Sequence, residues 1–224
     1  MVFLFYLYNF SVLPLKEAPF PTFYLQNFIS FLNIGLASVV VASLGGRFIF
    51  PAVSSEGFSY WIIRSSPISL KRFLWTKFWV NIGPVLIVAE ILILASNYLL
   101  DASAFMMLIS AVTIFFMVFG IVGLALGFGA VYPRFETENL VQVATGFGGI
   151  TFMITSAIYV GLIIILEAWP VYTIFVSRLK DTPLTGLNLF LISSCFICAI
   201  IINLTAVFLP MRIGLNNLIA RESD

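Results

Sequence analysis

The chain has 224 residues, of which 61% are hydrophobic and 9% charged, and its formal net charge is +1. A soluble domain is nearer half apolar and a quarter charged, so the bilayer must act as solvent for this much apolar surface. The charge balance excludes the basic face of a nucleic-acid binder, and the lack of histidine removes the commonest general base and metal ligand.

The chain opens with MVFLFYLYNFSVLPL, which has neither the basic start nor the small-residue cleavage site of a signal peptide. About a dozen apolar residues fall short of the roughly 20 that a span needs. Residues 1–22 are therefore an interfacial helix or the remnant of a span. Five longer apolar runs follow, at about 23–44, 78–100, 105–131, 141–166 and 187–209. Each predicts a helix, because continuous apolar runs do not fit barrel strands, which alternate with period two. Residues 23–210 form the membrane domain of an all-α polytopic protein, and 211–224 a cytoplasmic tail.

The first run carries Gln26, Ser30, Asn33 and Ala37 at spacings of four, three and four, a stripe on one helix face. A polar, small stripe in a membrane helix faces other helices or a cavity. It serves as packing glue or as part of a polar site.

Between the first two runs lies SSEGFSYWIIRSSPISLKRFLWTKFW, from Ser54 to Trp79. Ser54 or Ser55 can cap a short helix with Glu56 in its first turn. Phe58, Trp61 and Ile62 share a face, and Arg64 suits the helix C-terminus. Pro67 breaks the run and Ser69 restarts it. The expectation is an amphipathic helix on the inner membrane surface, a proline elbow, and a basic shoulder of Lys71, Arg72 and Lys77 that fixes orientation.

In the second run, Glu90 places an acid near mid-membrane, at a cost of about 3 kcal/mol. The surrounding Leu, Ile and Val, at about −0.3 to −0.6 kcal/mol each, offset it. Glu90 then faces protein or water, as a hydrogen-bonded packing group or as a polar site with Gln26, Ser30 and Asn33. The third run ends with Gly120, Gly123, Gly127 and Gly129, which predict close helix approach. Gly146, Gly148 and Gly149 do the same at the start of the fourth. No G-x-x-x-x-G-K-[ST] and no G-x-G-x-x-G after a strand occurs, so no nucleotide site is recognisable. The stretch from Glu167 to Gly186 reads as an outer loop with interfacial aromatics, either simple or re-entrant. Cys195 and Cys198, inside the fifth run, read as packing residues, and no metal site is expected.

Lys and Arg divide eight to three between the two sides, with Arg47, Arg64, Lys71, Arg72, Lys77, Arg134, Arg212 and Arg221 on the richer one. That side is expected to be cytoplasmic, in a cell membrane, with the C-terminus inside.

The order Glu56-Gly57, an apolar-aromatic turn, Ser66-Pro67-Ile68-Ser69, and Lys77 before a span resembles the signature of type-2 ABC exporter permeases. Thr76 stands where that signature has glycine, and Tyr60-Trp61 replaces aliphatics. One span before the motif, four after it, and a longer outer loop before the last agree with the resemblance. YPRFETENLVQVATGFGG, from Tyr132 to Gly149, is similar to a branch of large ABC exporter permeases, and this chain resembles their C-terminal part. The resemblance implies a permease subunit, not itself an enzyme and binding no cofactor. ATP would be held by a separate ATP-binding-cassette ATPase subunit docked on Glu56, Gly57, Phe58, Trp61, Arg64 and Pro67, with Arg134, Glu136 and Glu138 as a second inner contact. It also implies a second permease half or a homodimer. The residues alone leave open an ATP-independent channel or carrier centred on Glu90, or a non-transporting membrane scaffold.

Overall fold

A computed structural model describes residues 22–59, 65, 67, 69–135, 139–179 and 185–220. Among them the fold is all helix, and five helices are long and apolar enough to cross a membrane. The helices are α1 (Thr22–Leu44), α2 (Leu70–Leu99), α3 (Ala104–Val131), a short α4 (Leu140–Ala144), α5 (Phe147–Leu179) and α6 (Gly186–Ala220).

Helix α1 does not stop cleanly. It widens into a π-helical turn at Gly45–Ile49 and tightens into 3₁₀ turns at Phe50–Ala52 and Ser54–Ser59. Gly57 sits at φ 47°, in the left-handed region that favours glycine, and kinks the last of these turns. The expected amphipathic α-helix from Ser54 to Arg64 is therefore 3₁₀ over residues 54–59, and residues 60–64 lie outside the described residues.

Helix α2 begins at Leu70, directly after Ser69, where the helix was expected to restart, and eight residues before the apolar run that opens at Phe78. Ser69 caps it, with its side chain accepting from the Arg72 amide. Leu70, Leu74 and Phe78 are buried at successive i, i+4 positions, so the helix has a face to bury from its first turn. The basic shoulder is thus helical. At the far end Asp101 takes φ 52° in the turn to α3. Asn27 on α1 braces that turn, its Oδ1 accepting from the Ser103 amide and hydroxyl at 3.1 and 2.6 Å.

Helix α3 is the centre of the bundle and packs against α1, α2, α5 and α6. Its tightest crossing is with α6. A Cβ at Gly123 would stand 2.7 Å from Val207 Cα, and one at Gly127 2.5 Å from the Pro210 carbonyl carbon, so both positions demand a residue without one. Gly129 meets the Phe50 backbone as closely, which ties the end of α3 to the turn after α1.

Helix α5 runs through the stretch expected to be an outer loop. Phe152, Ser156, Val160, Ile163, Glu167 and Val171 are buried along one stripe that passes Glu167 without interruption. Pro170 lies inside the helix and does not end it. The stripe supplies packing on both sides of the proline, and helical packing lets membrane helices keep prolines. At 33 and 35 residues, α5 and α6 are each about 50 Å long, longer than the roughly 30 Å hydrocarbon layer.

Candidate functional sites in the bundle

One site is a corner at the end of the bundle that holds Arg47, Arg134 and Arg212. Lys77 projects from the second turn of α2 toward the turns that follow α1. Its Nζ donates to Glu56 Oε1 at 2.5 Å and to the Ala52 carbonyl at 2.8 Å, and lies 5.1 Å from the centre of the Phe73 ring. The ammonium therefore joins a carboxylate, a carbonyl at a helix end and an aromatic face. Ser54 is buried, and its Oγ accepts from the Arg134 amide at 3.0 Å. A Cβ at Gly57 would lie 3.7 Å from the Phe135 carbonyl. Tyr132 stacks edge-on with Phe147, 5.7 Å between centres.

The corner thus joins the two segments read from the sequence as a first and a second inner contact: Glu56 and Gly57 on one side, Arg134 on the other. Glu56 is ion-paired within the chain, and Lys77 has a specific partner in addition to any part in orientation. Pro67 is exposed. Trp61, Arg64, Glu136, Glu138 and the Phe58 side chain lie outside the described residues.

The second site is a polar seam inside the bundle. Ser30 Oγ donates to Asn97 Oδ1 at 2.9 Å, and Asn97 Nδ2 donates to Ser110 Oγ at 2.5 Å. Asn33 Nδ2 donates to Ser96 Oγ at 2.5 Å. One turn along α3 from Ser110, Thr113 Oγ1 donates to Glu167 Oε2 at 2.8 Å. All seven residues are buried, so the seam crosses α1, α2, α3 and α5 within the apolar region. Deeper on α5, Tyr159 donates its hydroxyl to Asn203 Oδ1 on α6 at 2.5 Å.

The structure brings Ser30 and Asn33 of the α1 stripe into this seam and leaves Gln26 and Glu90 half-buried beside it. Among the described residues neither of the latter two side chains has a hydrogen-bond partner. The buried acid is Glu167, only 7% exposed, not Glu90. Its place in the stripe of α5 was the sequence signal, hidden by reading residues 167–186 as a loop. Ser96, Asn97 and Ser110 were missed because they are small polar residues embedded in long apolar runs. Cys195 and Cys198 are free thiols on α6. No group of three metal-ligating side chains occurs among the described residues.

No curated protein and no solved structure matches the chain. A protein-family model does, over residues 1–222, and the family is described as a putative ATP-binding cassette. That description corrects four expectations: the resemblance to type-2 exporter permeases, the role of permease subunit, the absence of enzymatic activity, and the absence of ATP from this chain. The physical source of the error is that a helix, a proline and a basic shoulder before a span form wherever an amphipathic segment enters a membrane, so the pattern is weak evidence of a particular family. The family name implies ATP, but the described residues do not fit a phosphate cradle: no strand among them leads through a glycine-rich loop into a helix. With its match from residue 1 to residue 222, the chain belongs to the putative ATP-binding cassette family.

Proposed function

We propose that this chain is a membrane-embedded component of an ATP-binding-cassette system, and that a partner subunit of that system seats on the corner around Glu56, Lys77 and Arg134. The family match over residues 1–222, on a chain with five membrane-length helices, carries the first part. The corner supports the second, because it joins the end of α1, the start of α2 and the turn after α3. A force applied there reaches three helices at once. The excess of Lys and Arg at this end supports a cytoplasmic corner in a cell membrane.

The test uses protein purified in mild detergent together with whatever co-assembles, reconstituted in nanodiscs. Bound radiolabelled ATP and ATP turnover are measured for the wild type, Glu56→Gln and Lys77→Met. The reading expects turnover in the wild type and a fall of several-fold in both variants at unchanged helicity. Turnover that neither substitution alters would sink the coupling role of the corner. Orientation is tested separately: Ser55→Cys should react with a membrane-impermeant maleimide only from the cytoplasmic side.

A further inference from the structure

An apolar groove of about 440 Å³ runs between α3, α5 and α6. Its wall on α6 extends from Ile202 to Ile213, which is about 16 Å. That is half of the roughly 30 Å hydrocarbon layer, the depth of one leaflet. The groove ends at Tyr132 and Ile213, the end of the bundle that carries the arginines.

Apart from Tyr132 at the mouth, its walls offer little to a polar ligand. Thr155 and Thr205 line it, yet each hydroxyl donates to a carbonyl of its own helix, at 2.8 Å in both cases. The Tyr159 hydroxyl is spent on Asn203. A single hydrocarbon chain needs no hydrogen bonds and fits a narrow apolar slot.

Charge complements the mouth. Arg212 is exposed and follows Thr205 at i+7 and Leu209 at i+3 along the edge of the groove. Arg134, also exposed, lies two residues past Tyr132, with its guanidinium against Gly146. The Tyr132–Phe147 pair sits between these levels, where interfacial aromatics belong.

We propose that this groove holds one acyl chain of an anionic phospholipid from the leaflet at the Arg212 end, with the lipid phosphate at Arg212 and Arg134. The lipid completes the wall between α5 and α6. This assignment does not depend on the family's nucleotide chemistry.

The experiment is native mass spectrometry of the purified chain, equilibrated with equal amounts of phosphatidylglycerol and phosphatidylcholine. The wild type should retain phosphatidylglycerol preferentially. Arg212→Gln should cut that preference about fivefold, the effect of one cation at a charged membrane surface. Thr205→Phe fills the slot and should abolish retention of both lipids. Leu204→Phe, about 100° around α6 from Thr205 and outside the groove lining, should behave as wild type and controls for folding. Equal retention of the two lipids by the wild type would overturn the proposal. So would full retention by Thr205→Phe, or a disulfide between two chains through Thr205→Cys, which would put protein in the groove.

Discussion

The corner and the seam are both polar sites in an apolar chain, but they are built in opposite ways. The corner is made of turns. Its backbone leaves the α-helix through π and 3₁₀ geometry, its key pair is partly exposed at 19% for Lys77 and 30% for Glu56, and its partners come from segments far apart in sequence. The seam is made of regular helix, and its side chains are buried, with Glu167 the one acid among them. In lipid a buried polar group must find a partner within the protein, so the seam fixes how helices register. A partly exposed ion pair contributes little to stability and so can be broken cheaply, which suits a surface that must move. The contrast is between a region that specifies the bundle and one through which it can be driven.

The largest effect should come from the crossing that both regions depend on. Gly127→Val drives a side chain into Pro210, and overpacking of this kind costs about 3 kcal/mol or more. Loss of a monodisperse peak on size exclusion is the expected result; a well-folded variant would mean that α3 and α6 can separate freely. Next is the seam. Asn97→Leu removes bonds to both Ser30 and Ser110 and should lower stability by about 1–2 kcal/mol in unfolding from mixed micelles. A change below measurement would remove the seam from the determinants of the fold.

Gly57→Ala forces a side chain into the left-handed region, at about 1 kcal/mol, and should loosen the corner while leaving the helices intact. A cysteine pair placed across residues 54 and 134, which meet in the same corner, reports this as slower disulfide formation. The smallest stability effect should belong to Lys77→Met, about 0.5–1 kcal/mol. If the corner drives the bundle, this weakest structural change has a large effect on ATP turnover, and Asn97→Leu the reverse. Parallel losses of stability and turnover in the two variants would erase the distinction between the regions.

The long apolar runs made the five helices legible, because length and hydropathy are local properties. The glycine crossing was legible for the same reason: small residues at i, i+4 in an apolar run have few other uses. The restart of the helix at Ser69 was legible as a cap, whereas the charges of Lys71, Arg72 and Lys77 masked the buried face of Leu70, Leu74 and Phe78. Glu167 and Pro170 together suggested a loop, whereas the stripe through Ile163 and Val171 was the stronger signal. The meeting of Glu56 with Lys77, and of Ser54 with Arg134, depends on how three helix ends converge. No periodicity within one segment carries that information. The family was misread because a locally common layout was given the weight of a signature.

The ammonium of Lys77 contacts both a carboxylate and a carbonyl while remaining in reach of water. Ions in the surrounding solution therefore compete with it directly. At 1 M salt the screening length shrinks to about 3 Å, comparable with the bond itself, while the seam, enclosed by hydrocarbon, is untouched. Ionic strength thus becomes a dial that slackens one end of the molecule and leaves the other taut.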